Sequence, residues 1–196
     1  MLIDKDFQLD RDFQLEVPPD IRELWDQLGS PIVKYPDPVL ERPSIAVGKP
    51  SAATRELVDR MKQAMSDWRG IGLAAPQIGV SERVIIYRLP EEDEPVRVVV
   101  NPKIVSLKGE QVGTEGCLSI PRLQGEVKRA NEVIVKGMDL LGRPFRRRAR
   151  ELEARVIQHE IDHLDGILFF QRAERATLHW LVESELDEED DPEMRE

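Results

Sequence analysis

The order of hydrophobic patterns along this chain predicts an α+β fold. A long helical pattern comes first, then a run of short β segments, then a second long helix. Apolar residues three and four apart define the helices; short apolar runs cut by Pro, Gly and charged turns define the strands. Strand and helix do not alternate regularly, as a parallel βαβ sheet would require. At 196 residues, 40% hydrophobic and 34% charged, the composition is that of one globular domain with a real core.

Taken in order, residues 1–30 read as an N-terminal extension. Asp6-Phe7-Gln8-Leu9 recurs as Asp12-Phe13-Gln14-Leu15, a duplication too short for a repeat architecture. Val17-Pro18-Pro19-Asp20 breaks the chain, and Asp20 is expected to cap a short helix over residues 20–28 that Gly29 ends. Five prolines from Pro31 to Pro50 dictate a loop-like path. Residues 51–68 form the first substantial helix, through Leu57, Met61, Ala64, Met65 and Trp68, and Gly70-Ile71-Gly72 stops it. Strands are expected over residues 83–89, 96–100 and 104–107, around Val127, and over 133–138. A turn at 139–144 then leads into a last strand at 145–149.

The second long helix covers residues 151–165, with Gly166 after it. At about 100° per residue, Leu152, Val156, His159, Glu160 and His163 share one arc that Ile157, Ile161 and Leu164 extend. Ala154, Arg155, Gln158, Asp162 and Asp165 take the other side. More than half the circumference is apolar or ligand-bearing, so this helix should lie deep. A third helix is expected from Phe170 to about Leu186, followed by an acidic tail over residues 187–196.

His159-Glu160-Ile161-Asp162-His163 sets two imidazoles one helical turn apart, where both can reach one metal ion. Glu160 stands beside that ion and could move protons for a water, the arrangement of zinc-dependent hydrolases. With three His and one Cys in the chain, few residues can supply a third ligand. Cys117, in Glu115-Gly116-Cys117-Leu118-Ser119, offers a thiolate, and its neighbour Gly116 allows close backbone approach. Cys117 with both imidazoles would leave a fourth position open. His179 reads as an ordinary, partly exposed histidine.

Gly70-Ile71-Gly72-Leu73-Ala74-Ala75 matches a dinucleotide fingerprint in letters only, since it follows a helix rather than a strand. Gln77 after it is a loop amide able to stabilise an oxyanion. Arg143, Arg146-Arg147-Arg148 and Arg150 read as a solvated ribbon face, or as a contact with RNA phosphate such as a ribosome offers. The net charge of −10 argues against a stable nucleic-acid complex. One cysteine cannot form an internal disulfide, and no apolar run approaches the roughly 18 residues that span a membrane. The acidic first 16 residues carry no targeting pattern, so a soluble, cytoplasmic protein is expected.

Together, Gly70-Ile71-Gly72-Leu73-Ala74-Ala75-Pro76-Gln77, Glu115-Gly116-Cys117-Leu118-Ser119 and Gln158-His159-Glu160-Ile161-Asp162-His163 resemble the three motifs of the peptide deformylases, in order. The resemblance covers about residues 31–172, including Tyr35-Pro36-Asp37-Pro38-Val39-Leu40. It implies mostly antiparallel strands around a central metal-binding helix, in a catalytic domain over 31–172. The extension 1–30 would precede it, and a C-terminal helix with acidic tail would follow over 173–196.

By that resemblance, Cys117, His159 and His163 bind a metal, usually ferrous iron, with zinc, nickel or cobalt able to occupy the site. Glu160 is the general base and acid, and Gln77 with the Leu118 backbone N–H holds the oxyanion. The substrate implied is an N-formylmethionyl peptide, its backbone paired with Ile71, Gly72 and Gly116. Leu152 and Val156, placed beside the metal by the helical wheel, form an apolar pocket for the methionine side chain. Gln124 stands where many relatives have an arginine. Two other readings compete. A metallopeptidase of the His-Glu-x-x-His type requires a downstream third ligand, for which His179 is the only later histidine. A structural metal site requires a fourth soft ligand that the chain lacks.

Overall fold

The computed structural model describes residues 8–90 and 95–182. Helix α1 (Pro19–Gln27) opens with proline at its first position, where the missing N–H costs nothing. Asp20 therefore lies in the first turn, and the cap position belongs to Pro18. Helix α2 (Ala52–Asp67) is held at its start by Ser51 and Thr54. Each bonds the other's backbone N–H, at 3.4 Å to Ser51 Oγ and 3.1 Å to Thr54 Oγ1. Its buried face, with Leu57, Val58, Met61 and Met65, packs on Leu73, Val84, Ile86 and Val100.

Strands β1 (Gly72–Ala74), β2 (Val84–Tyr87), β3 (Arg97–Lys108), β6 (Glu132–Met138) and β7 (Pro144–Arg150) form one sheet in the order β1-β2-β3-β6-β7, antiparallel throughout. Strands β4 (Gln111–Cys117), β5 (Ile120–Arg129) and β8 (His179–Trp180) form a second antiparallel sheet. Helix α3 (Glu151–Leu164) lies between the two. Ile157, Ile161 and Leu164 pack with Ile85, Val99, Val133 and Val135 of the larger sheet. Arg155, Gln158 and His159 hydrogen-bond toward the smaller one. The antiparallel α+β architecture agrees with the expectation.

Three further expectations change. The strands expected at 96–100 and 104–107 are one strand, β3. Asn101-Pro102 sits in it as a bulge, with Asn101 at φ 51° and its amide bonded to both Val47 N and Val47 O. The β4–β5 hairpin, of which only the region around Val127 was expected, arises from Glu- and Gly-containing segments whose pattern is weak. The third helix expected from Phe170 is absent in the described residues, which extend to 182. Short 3-10 turns at Phe169–Gln171 and Arg175–Thr177 lead instead into β8. Leu178 and Trp180 alternate with exposed His179, a period of two, and they join the cluster containing Trp25, Ile120 and Leu123. The edge of β5 binds this segment through Leu181 N to Arg122 O at 2.7 Å and Glu126 N to Thr177 Oγ1 at 2.8 Å. The acidic tail lies outside the described residues.

The N-terminal segment packs onto this same region. Asp10 N bonds Gln171 O at 2.8 Å, Phe13 meets Phe170 edge-on at 5.7 Å, and Trp25 Nε1 donates to Pro121 O at 3.2 Å. Among the described residues no helix is long and apolar enough to cross a membrane.

Candidate metal centre and active site

Cys117 ends β4 beside a register shift after Gly116, which turns its sulfur toward α3. A side chain at Gly116 would meet the Leu123 carbonyl oxygen at 3.3 Å, so the hairpin closes tightly there. Cys117 Sγ lies 3.2 Å from His163 Nε2, and the donor atoms of Cys117, His159 and His163 all fall within 4.8 Å of one another. Donors sharing one ion at zinc-like bond lengths stand about 3.5 Å apart, so the triangle fits a single first-row metal.

The electrostatics fit as well. Burial opposes ionisation of Cys117, yet the facing His163 and His159 rings hold its thiol well below the ordinary range. A thiolate in this cavity calls for a positive charge, which a divalent cation provides. His159 Nδ1 lies 2.9 Å from Glu115 Oε2, which leaves its other nitrogen to face the sulfur.

Glu160 is outside the donor triangle. It is 4% exposed, and its Oε2 has no hydrogen-bond partner. Burial pushes its carboxyl up to about 7, with the neighbouring imidazoles of His159 and His163 pulling the other way. A buried, unpaired carboxylate beside a metal site is placed to exchange protons. The backbone of Gly72 crosses directly over it: a Cβ there would sit 2.4 Å from Glu160 Oε1 and 2.9 Å from Val156 Cγ1. Gly72→Ala is accordingly expected to displace the carboxylate and lower kcat/KM by roughly 100-fold with little change in Tm, since small misplacements of reacting groups carry such costs. Steady-state kinetics alongside a melting curve test this, and unchanged kcat/KM would mean that the contact is irrelevant to turnover.

Gln77 lies in a 3-10 turn at Ala75–Ile78. Ala74 N–H donates to its Oε1 at 2.8 Å, so its NH2 end faces Cys117 Sγ at 3.5 Å and Ser119 Oγ at 3.3 Å. Ile71, Gly72, Gln77, Gly116 and Leu118 line a cavity of about 550 Å³. Leu152, Val156, His159 and Glu160 of α3 also line it, as does Cys117, and His163, 1% exposed, lies outside the lining. Every residue anticipated for the site is thus in or against one cavity. His179 is elsewhere, exposed on β8 and bonded to Thr177 O at 2.8 Å.

A buried ion-pair network reaches this cavity through Glu115 and Arg155, and no local pattern in the sequence signals it. Glu115 takes a two-pronged bond from Arg129, 2.9 Å in each prong, and another from Arg155 at 2.8 Å. Arg129 also bonds Asp162, which Arg172 holds in turn at 2.7 and 2.8 Å. Burial alone would raise the Glu115 and Asp162 carboxyls, but the arginines hold both below their usual range. On the side of α3 expected to be polar, Arg155, Gln158 and Asp162 are therefore buried, Asp162 satisfied by the arginines and Gln158 by the Ala130 and Ala154 backbone, while Asp165 stays half-exposed. The Arg146–Arg148 ribbon is tied locally instead. Arg147 pairs with Glu153 at 2.6 Å, and Arg148 and Arg150 pair with Glu132.

An antiparallel α+β fold with a thiolate, two imidazoles and an uncoordinated buried glutamate on one cavity defines a metal-dependent hydrolase. The sequence model of the polypeptide deformylases matches residues 30–178, and the chain belongs to that family. Among named relatives, the peptide deformylase of Acidobacterium capsulatum is 46% identical over 144 residues, covering 72% of this chain and 85% of that protein. That of Thermomicrobium roseum is 45% identical over 161 residues, 79% and 92% respectively. In structure, a Plasmodium falciparum peptide deformylase matches with TM-score 0.71 at 35% identity, over 74% of this chain and 87% of that one. A class I type b peptide deformylase of Acinetobacter baumannii, bound to Met-Ala-Ser, matches with TM-score 0.69 at 36% identity, over 73% and 97%.

Proposed function

We infer that this protein removes the N-formyl group from the terminal formylmethionine of nascent polypeptides, releasing formate. The observation that carries this reading is the donor triangle of Cys117, His159 and His163 with Glu160 left free beside it in one cavity. Those three residues would hold a divalent cation, which supplies Lewis-acid polarisation of the formyl carbonyl and makes water acidic near neutral pH. Ferrous iron is the resident ion in this reading, and zinc, nickel or cobalt suit the same donors.

The protein's own groups do the rest. The peptide backbone runs past Ile71, Gly72 and Gly116 as an added strand, with the methionine side chain against Leu152 and Val156. Glu160 accepts a proton from the attacking water and returns one to the departing amine as the formamide C–N bond breaks. The Gln77 NH2 and the Leu118 N–H bond the carbonyl oxygen as it gains negative charge. Support for the substrate comes from the relative that binds Met-Ala-Ser, since a peptide beginning with free methionine is what deformylation leaves. The enzyme acts in the cytoplasm, where nascent chains emerge, and any ribosome contact is transient, through Arg146 and its neighbours on β7.

The metallopeptidase reading is not favoured: its downstream ligand would be His179, which lies outside the donor cluster, whereas the third donor present is upstream Cys117. The test is formate release from a formyl-methionyl peptide by anaerobically purified protein, with metal analysis of the same sample. Cys117→Ser is expected to lower metal content severalfold and activity with it. Cleavage of internal peptide bonds, or full metal content in Cys117→Ser, overturns the reading.

A further inference from the structure

A second cavity, of about 670 Å³, lies on the opposite side of α3 from the catalytic one and shares none of its lining residues. Six cations line it: Arg11, Arg83, Lys103, Lys128, Arg129 and Arg172. Its acids are Asp162 and Asp165 alone. Arg83 is paired with Asp165 at 2.6 Å, Lys128 with Glu110 at 2.6 Å, and Arg129 and Arg172 hold Asp162. Arg11 and Lys103, both exposed, have no charged partner among the described residues. Among the described residues, two positive charges thus face one concavity without an acidic partner, in a protein of net charge −10. The floor is apolar, made by Ile104, Leu107, Ile161 and Ile167.

Arg11 reaches this wall because the N-terminal segment is pinned there. Gln171 Nε2 donates to Arg11 O at 3.1 Å, Asp10 N bonds Gln171 O at 2.8 Å, and Asp10 pairs with Arg175. That segment precedes residues 30–178, the part shared with the family. The cavity is thus completed by a feature of this chain outside the deformylase match.

We propose that this cavity binds a small organic phosphate dianion, its charge against Arg11 and Lys103 and its apolar body on the isoleucine and leucine floor. The volume is that of a small-molecule site, and it is too small for a folded nucleic acid. A phosphate monoester balances two cations, and the apolar floor rewards an attached hydrocarbon group.

The test is calorimetric titration of the full-length holoenzyme with phenyl phosphate, with inorganic phosphate and an RNA hexamer as parallel arms. Phenyl phosphate is expected to bind one per chain, more tightly than inorganic phosphate, and less tightly as salt is added. The double variant Arg11→Glu/Lys103→Glu is expected to weaken it about tenfold or more, since two exposed attractions become repulsions. Formate release without phenyl phosphate should be the same in both proteins. No binding by the native protein sinks the proposal, as does equal affinity in the double variant, which would put the anion in the metal cavity. Equal affinity for inorganic phosphate overturns the organic ligand, and preferential binding of the RNA hexamer reassigns the surface to nucleic acid.

Discussion

Glu160→Gln is expected to lower kcat by about three orders of magnitude while the metal remains bound, the middle of the range for removing a general acid-base group. Glutamine keeps the shape that fits beneath Gly72 and fills the same space against Val156, so packing is nearly unchanged. What disappears is the carboxylate whose Oε2 is buried without a partner and can therefore take and return a proton. Metal content by elemental analysis and kcat on a formyl-methionyl peptide separate the two effects. Loss of metal would make Glu160 a ligand, and a kcat within an order of magnitude of the native value would leave the proton transfer without its base.

Asp162→Asn is expected to destabilise the protein by about 3–5 kcal/mol, the cost of removing one partner from a buried, hydrogen-bonded ion pair. Asp162 is 6% exposed and held by both Arg129 and Arg172. Neutralising it leaves two buried guanidinium groups sharing an amide that offers one acceptor atom and an NH2 that repels them. For a chain of this size that loss corresponds to a fall in Tm of roughly 10 °C. Asp165→Asn provides the contrast. Its side chain is 44% exposed in the pair with Arg83, so its loss should cost less than about 1 kcal/mol. Equal melting temperatures for the two variants would show that burial does not set the worth of these pairs.

The same network bears on the metal centre. Arg129 bonds Asp162 on one side and Glu115 on the other, and Glu115 fixes His159 through Nδ1. The imidazole orientation thus rests on charges supplied by β4, β5 and the turn after α3 as well as on its own helix.

Much of the site was legible in the chain because its chemistry is locally encoded. His159 and His163 are one turn apart on a strongly patterned helix, so their shared face follows from helical geometry alone. Gly116 beside Cys117 stood out as a close-approach position, and a side chain there would meet the Leu123 carbonyl oxygen; Gly72, read from its pattern as part of a helix stop, proves to lie against Glu160. The expected C-terminal helix failed for a different reason. Leu178 and Trp180 are two residues apart, a spacing that a helix would put on opposite faces and a strand puts on one, and the edge of β5 pairs with His179 and Trp180 as a strand. The β4–β5 hairpin was faint because its residues alternate only weakly and most of their partners lie ten or more positions away.

The sequence alone therefore determined the two long helices, the α+β class and the residue types able to hold a metal, since each depends on spacings within a few residues; the antiparallel strands followed only from the family resemblance. Only the tertiary structure decided that Cys117 meets the histidines from 46 residues away from His163, that Arg155, Gln158 and Asp162 are buried rather than solvated, and that Arg11 reaches a second cavity. Those outcomes depend on which charges become neighbours once water is excluded, and a linear pattern of polar residues reads the same whether its partner is solvent or an arginine from a distant strand.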